Sequence, residues 1–343
     1  MADNIGMAAH LAGQSLRLGW FLALNRIVEQ RSAGVVPTAK ATRPVPTLRE
    51  LLTDIGQLLL ADALAVRDGL YPPMEDDASS LPRHLGRVRD MLAELPQALD
   101  RRKSRNASTA KAARSAGDLP DYYAQDFHFQ NGGYLTDESA RLYDVQVEIL
   151  FMGAAAPMRR AALRPIAEFM RGRDQRHMSL VDVACGTGRF LRQVRLGYPA
   201  LKLTGIDLSQ PYLDEARRHL RGLRAADLIQ APAEKMPLAD ASADIVTSVF
   251  LFHELPPDVR RQIAAEIARI LKPGGLFVFL DSLQMGDRPP WDGLLEAFPA
   301  RFHEPYYRNY IVDDLEAIFT DCGFVPEITS SVFLSKLIVC RKA

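Results

Sequence analysis

Up to about residue 100, apolar side chains recur at helical spacing. Leu11, Leu16, Leu18, Phe21, Leu22, Leu24, Ile27 and Val28 fall mostly on one side of a helix over residues 5–31, with Arg17, Arg26, Glu29 and Arg31 elsewhere. Thr47 followed three residues later by Glu50 is a capping-box pattern, and it opens a second helix that runs to about Gly69. Tyr71-Pro72-Pro73 breaks the chain, and a third helix spans about Leu81 to Leu99. Residues 1–100 are therefore expected to form a helical N-terminal domain. The run from Arg101 through Lys111 and Arg114 predicts a basic linker over 101–118, either solvated or in contact with an anionic surface.

Residues 119–154 differ in character. Tyr122, Tyr123, Phe127, His128, Phe129 and Tyr134 crowd an irregular segment with a Gly-Gly hinge, and a helix over 137–152 follows. From 155 onward helical stretches alternate with short apolar runs. A helix from Pro157 to Met170 leads into a buried strand at Val181–Val183. Further strands are expected at Leu203–Asp207, near Leu228-Ile229, at Ile245–Ser248 and at Leu276–Leu280. Helices are expected at 211–221, from Pro256-Pro257 to Leu271, and at 311–322. Val325–Ile328 and Val332–Val339 complete the chain as a hairpin. Strands alternating with helices predict an α/β fold, a doubly wound and mostly parallel sheet covered on both faces.

The stretch Val181-Asp182-Val183-Ala184-Cys185-Gly186-Thr187-Gly188-Arg189-Phe190 carries the first chemistry. A strand, a tight glycine turn and a helix N-terminus leave free backbone N–H groups and a positive dipole end beside a cleft. Glycine lets a ligand approach the backbone there. Leu203-Thr204-Gly205-Ile206-Asp207 is a second strand ending in an acid, about 20 residues later, the spacing that puts a carboxylate on a ribose diol.

Together with Ala233-Glu234-Lys235-Met236-Pro237-Leu238, Ala243–Ser248 and Leu271–Phe279, this order of motifs resembles the class I S-adenosylmethionine-dependent methyltransferases. The similarity is greatest to the branch that includes the quinone-biosynthesis C-methyltransferases and many small-molecule methyltransferases, and it covers roughly residues 155–340. The resemblance implies a seven-stranded Rossmann-like core over 155–343, with a reversed seventh strand from the final hairpin. It implies S-adenosyl-L-methionine as cofactor and S-adenosyl-L-homocysteine as product. By resemblance, Asp182 supports the glycine loop, and Ala184, Gly186 and Gly188 give close backbone approach. Asp207 takes the ribose hydroxyls, Leu208 packs on the adenine, Ala233 offers it a backbone N–H, and Ser248 closes the fourth strand beside the cofactor. Relatives often carry Gly-Asp-Ala where this chain has Ala231-Pro232-Ala233. The acid that receives the adenine amino group is thus missing, and Glu234 either replaces it or lies at the surface. The aromatic segment corresponds to a lid over cofactor and acceptor in such proteins, and seam packing is the alternative.

An activated methyl donor needs alignment above all, and a base only if the acceptor must lose a proton, where it adds ~10²–10⁴-fold. His253, after the fourth strand, is the first candidate base, with Glu254 either orienting it or facing solvent. His303 and Tyr307, with Glu304, are candidates for an acceptor pocket, and Asp281-Ser282 would line the same cleft.

Composition narrows the acceptor. Of the 343 residues 48% are hydrophobic and the formal net charge is zero, which supports a large core and removes a global nucleic-acid footprint. An Asn/Asp-Pro-Pro-aromatic motif is also absent after the fourth strand, where the chain reads Ser-Val-Phe-Leu. A small, partly apolar acceptor (aromatic, quinone-like or lipid-like) is therefore expected. An RNA or protein methyltransferase is one rival, kept by the basic run. A non-catalytic cofactor-binding scaffold is the other, supported by Pro232. The three cysteines show no metal-ligand spacing, so no metal is expected; they suggest a reducing, cytoplasmic setting. Cys185, in the glycine turn, reads as a packing residue. No run approaches the ~20 apolar residues of a membrane span, and no signal peptide is expected. The first helix, with Arg17, Trp20 and Arg26 beside apolar residues, suits peripheral membrane contact, domain packing or a homodimer.

Overall fold

The computed structural model describes residues 3–35, 41–74, 81–105, 109–110 and 119–343. Seven strands form one sheet: β1 (Ser179–Val183), β2 (Lys202–Asp207), β3 (Asp227–Gln230), β4 (Ala243–Val249), β5 (Leu271–Ser282), β6 (Phe324–Val332) and β7 (Ser335–Lys342). Their order is β3-β2-β1-β4-β5-β7-β6. All neighbours from β3 to β5 pair in parallel, while β7 runs antiparallel to both β5 and β6. This is the doubly wound, Rossmann-like arrangement expected, with the reversed strand supplied by the last hairpin.

Alternation along the strands sorts the core into two layers. Val181, Val183, Ile206, Val246, Phe277 and Phe279 share one buried cluster with Ile263, Ile267 and Ile270 of a flanking helix. Leu180, Leu203, Ile245, Leu276, Val278 and Leu280 share the other with Leu163, Ile166, Leu191 and Val194. Side chains of a strand point alternately to its two faces, so a sheet covered by helices on both sides needs apolar residues at successive positions.

The helices are α1 (Asn4–Ser32), α2 (Leu48–Arg67), α3 (Leu81–Ser104), α4 (Asp137–Leu150), α5 (Ala155–Ala161), α6 (Leu163–Met170), α7 (Arg189–Gly197), α8 (Gln210–His219), α9 (Pro257–Ile270), α10 (Asp292–Arg301), α11 (Tyr307–Tyr310) and α12 (Leu315–Asp321). The capping box of α2 forms: the Thr47 side chain accepts from the Glu50 N–H, and Glu50 accepts from the Thr47 N–H at 2.7 Å. Four boundaries differ from the sequence reading. The helix expected over 157–170 is divided at Ala162 into α5 and α6. The helix expected over 311–322 starts only at Leu315, because Asp314 caps α12, accepting from the Ala317 N–H at 2.9 Å. Pro273-Gly274-Gly275 opens β5 instead of ending the helix before it. The final turn falls at Phe333-Leu334, inside the run read as the last strand; Phe333 takes the left-handed conformation there.

α3 also continues past Leu99 through Arg101–Ser104. Arg101 donates to the Phe129 carbonyl at 2.9 Å and pairs with Glu94. The Arg102 guanidinium lies 4.8 Å from the centre of the Phe302 ring. These two arginines are therefore held by packing and pairing. Residues 106–108 and 111–118, with Lys111 and Arg114, lie outside the described residues.

The N-terminal helices are joined to the sheet. Ile55, Leu58 and Leu59 of α2 belong to the same buried cluster as β1 and β5. A charged group at the centre of that contact was not foreseen. Arg160 of α5, fully buried, grips Asp62 of α2 through Nε and one terminal nitrogen, at 2.9 and 2.7 Å. Asp62 also accepts from the Tyr71 hydroxyl at 2.7 Å and lies 2.7 Å from His10 Nε2 of α1. Burial opposes ionisation of Asp62, but Arg160 and His10 hold its carboxyl well below the usual range. α1 leaves Ile5 and Leu16 exposed, and Trp20 Nε1 donates to His84 of α3 at 3.0 Å. No helix among the described residues is long and apolar enough to cross a membrane.

Removing one partner of a buried ion pair strands the other charge, at a cost of about 3–5 kcal/mol. Asp62→Ala is expected to lower unfolding stability by that amount in urea titrations, whereas a variant of the exposed Arg176–Asp174 pair should change it by less than about 1 kcal/mol.

Candidate active site

The C-terminal ends of β1, β2 and β4 border a cleft of about 960 Å³, counting its open mouth. Open parallel sheets bind ligands at this edge. The glycine turn forms one wall. Ala184 and Gly186 both take positive φ, 56° and 54°, and this left-handed pair turns the chain from β1 toward α7. Nothing lies within 4 Å of the position a Cβ would take at Gly186, so that side of the turn is open to the cleft. Gly188 has a different reason to be glycine. Its φ is 74°, and a Cβ there would stand 2.8 Å from Ala216 Cβ of α8. It belongs to the packing of α7 on α8 and does not border the cleft.

Asp207, at the end of β2, is tied to the turn. One carboxylate oxygen accepts from the Gly186 N–H at 2.8 Å, and the other accepts from the Ser209 N–H at 2.8 Å. Burial nevertheless pushes its pKa up to about 6, against those hydrogen bonds. Asp182 accepts from the Thr247 hydroxyl at 2.7 Å. Burial is again the main cause that raises it, to about 7, with the Asp207 charge adding to the effect. The turn is braced from α4, whose Asp144 accepts from Thr187 Oγ1 at 2.7 Å and Arg189 Nε at 2.8 Å. Burial raises Asp144, but Arg189 and His219 carry it down to about 2.

Leu208, Ala233 and Glu234 line the cleft with Asp182, Ala184, Gly186 and Asp207. Glu234 receives the Tyr122 hydroxyl on Oε1, while its buried Oε2 has no partner among the described residues. Ser248, fully buried, does not border the cleft. Cys185 lines the turn as a buried thiol, which burial first and then Asp207 and Asp182 push well up, so it is inert as a nucleophile.

The three acceptor-side candidates stand off the cleft. His253 Nδ1 is 2.5 Å from Asp281 Oδ1, and its ring contacts Tyr307 and Tyr310 edge-on. Burial works against the imidazolium, but Asp281 outweighs it and raises His253 to about 9. With Nδ1 taken by Asp281 and the ring outside the cleft lining, this placement lends no support to the expected role as base. Tyr307 is buried, shares a hydrogen bond of 2.7 Å with Ser282 Oγ, and is pushed up chiefly by burial. His303 lies in a separate hollow with Arg102 and Phe302, its Nε2 3.3 Å from Gln125 Oε1.

The opposite wall is aromatic. Tyr122, Tyr123 and Tyr134 of the segment before α4 line the cleft, joined by Tyr143 of α4, Tyr212 of α8 and Phe250. Phe127 stacks on Tyr134 at 5.2 Å, and Ser209 Oγ donates to the Tyr134 carbonyl at 2.5 Å. Glu254, rather than His253, faces the cleft, where it receives the Tyr134 hydroxyl; burial raises its pKa. The ring-rich run 119–135 signalled part of this wall in the sequence. Tyr143, Tyr212 and Arg159 gave no local signal, because packing alone brings them from separate helices.

A parallel sheet with one reversed strand, an acid-anchored glycine turn and a cleft beside it define a Rossmann-like methyltransferase. Residues 180–275 match the family model described as "Methyltransferase domain". The demethylmenaquinone methyltransferase of Thermotoga maritima is 30% identical over 183 residues, covering 53% of this chain and 75% of that protein. The ubiquinone/menaquinone biosynthesis C-methyltransferase of Desulfotalea psychrophila is 28% identical over 204 residues, 59% of this chain and 77% of that one. A phthiotriol/phenolphthiotriol dimycocerosates methyltransferase of Mycobacterium tuberculosis is 30% identical, but over 36% of this chain and 44% of its own length. Among solved structures, the geranyl diphosphate C-methyltransferase of Streptomyces coelicolor is similar at 18% identity and a TM-score of 0.40, over 52% of this chain and 79% of that one. The chain belongs to the class I S-adenosylmethionine-dependent methyltransferases, in their small-molecule branch. It is an enzyme, and its cofactor is S-adenosylmethionine.

Asp182 holds a proton in the native chain at pH values where an ordinary carboxyl, such as that of the unfolded chain, has lost it. Its contribution to stability therefore falls as pH rises from about 4 through about 7. Asp182→Asn keeps an acceptor for Thr247 without that loss. Its stability relative to the wild type, measured by urea unfolding without cofactor, is expected to grow across that window and then level. Parallel pH profiles would contradict the assignment.

Proposed function

We propose that this enzyme transfers the methyl group of S-adenosylmethionine to a small, partly apolar acceptor of aromatic, quinone-like or lipid-like character. One observation carries the reading: an acid-anchored glycine turn and a wall of tyrosines face each other across one cleft. The similarity to proteins named for quinone and lipid acceptors supports the same class.

The residues present fit the cofactor. Gly186 leaves open the space a side chain would fill, and Glu234 Oε2 is a buried acceptor without a donor. Asp207 accepts the ribose hydroxyls while keeping its bonds to Gly186 and Ser209. Glu234 receives the adenine amino group, replacing the acid that Pro232 displaces in this chain. Leu208 and Ala233 pack against the ring. Asp182 sets the turn and offers negative charge on the methionine side. Bound there, S-adenosylmethionine supplies an electrophilic methyl group on a sulfonium.

The protein's part is then alignment and exclusion of water, in an in-line displacement. Well-oriented reactants recover up to about 7–11 kcal/mol of the barrier. Tyr122, Tyr123 and Tyr134 close the cleft from above, and the Tyr122–Glu234 hydrogen bond is the latch of that lid. Arg260 acts behind the acceptor side. Fully buried, it donates to the Phe252 carbonyl at 2.9 Å and to Asp313 at 2.8 Å, so the turn carrying Glu254 is fixed to the segment between α11 and α12.

A hydrogen bond to a charged group contributes about 1.5–3 kcal/mol, which corresponds to roughly 10- to 100-fold in affinity. Glu234→Ala and Asp207→Ala are each expected to weaken S-adenosylmethionine binding by that factor in calorimetric titration; unchanged affinity in either would remove that residue from the cofactor site. Labelled-methyl transfer from S-adenosylmethionine to a panel of phenols, quinol precursors and lipid extracts is expected to yield product. Silence across the panel from protein that binds the cofactor would contradict the acceptor class.

A further inference from the structure

We propose that His128, Glu254 and Glu304 form a binding site for one divalent first-row transition-metal ion beside the cleft. The three come from separate segments: the tight turn Phe127–Phe129, the turn Phe252–Glu254 after β4, and the loop between α10 and α11. One ligand atom of each lies within 4.8 Å of the other two. His128 Nε2 is 3.0 Å from Glu304 Oε1 and 4.0 Å from Glu254 Oε1. Ligands bound at roughly 2.0–2.2 Å stand at most about 4.4 Å apart, so a shift of a few tenths of an ångström completes the set.

Glu304 supplies the independent observation. Its side chain is fully buried, yet neither carboxylate oxygen has a hydrogen bond among the described residues, and the His128 imidazole at 3.0 Å lacks donor geometry toward it. A buried carboxylate without donors is costly and calls for a cation or a proton. The local charges leave that need unmet. The acids Glu254 and Asp281 stand close enough to act on Glu304 as well. His253 is already taken by Asp281 at 2.5 Å.

The rest of the cluster has the form of a metal site's surroundings. Tyr134 donates to Glu254, so one of the three ligands is oriented by a second partner, and the backbone N–H of His128 donates to the His303 carbonyl at 3.2 Å, which holds the turn carrying His128 against the loop after α10. One imidazole with two carboxylates suits zinc, manganese or iron(II) better than the all-oxygen sites of magnesium or calcium. Three protein ligands leave coordination positions open, and Glu254 borders the cleft. On the methyltransferase reading above, an open position would hold a hydroxyl or carbonyl oxygen of the acceptor.

The test is metal uptake by the full chain, freed of metal by chelator, then titrated with Mn²⁺ and Zn²⁺ separately and assayed for bound metal after gel filtration. Wild type is expected to take up one ion per chain. Glu304→Gln and His128→Ala should each weaken uptake about ten-fold or more, while His303→Ala should not. Titration with S-adenosylmethionine in the absence of added metal reports whether each variant is folded, and His128→Asn replaces any that is not. No stoichiometric uptake by wild type, or uptake unchanged in the variants, overturns the site. Intact cofactor binding in that case leaves the methyltransferase reading standing.

Discussion

The carboxylate of Asp207, fixed by the N–H groups of Gly186 and Ser209, sets the geometry on which the cleft depends. It joins the end of β2 to the turn after β1. With both oxygens so engaged, Asp207 ties the end of β2 to the left-handed turn at Ala184 and Gly186, whose Cβ side at Gly186 is open. The same carboxylate is buried deeply enough to be pushed up to about 6, with Asp182 nearby pushed to about 7. Two acids held short of full ionisation near neutrality suit a site that receives a positively charged ligand, because the incoming charge draws both into the ionised state.

The parts of this arrangement written in contiguous stretches were legible in the sequence. The glycine turn, the acid about 20 residues beyond it and the strand–helix alternation are local patterns that yielded the sheet, and the family resemblance they carry pointed to Leu208, Ala233 and Glu234, which also line the cleft. What was missed depends on contacts distant in the chain. His253 was read as a base from its position after β4, but its state is set by Asp281, 28 residues away at the end of a neighbouring strand. Gly188 was read as a point of ligand approach, whereas its space is needed by Ala216 of another helix. The polar residues His10, Asp62 and Arg160 interrupt otherwise apolar faces and make sense only once they meet.

The same lesson applies to the aromatic wall. Ring density in 119–135 marked a segment with a purpose, but not where its hydroxyls go. Tyr122 and Tyr134 end on Glu234 and Glu254, two acids that line the cleft. These two bonds join the segment before α4 to the loops after β3 and β4, so the aromatic wall of the cleft also holds two of its acids. α4 adds Asp144 beneath the glycine turn. The residues preceding the sheet are therefore built into the site.

The central claim is that the buried pair Asp182 and Asp207 is kept for a cationic cofactor, and proton linkage tests it most directly. Calorimetric titration with S-adenosylmethionine at pH about 6.5, repeated in buffers of different ionisation enthalpy, counts the protons exchanged on binding. The account predicts saturable binding with net proton release, and a smaller release in Asp182→Asn. Binding without proton release, or no binding, would contradict it.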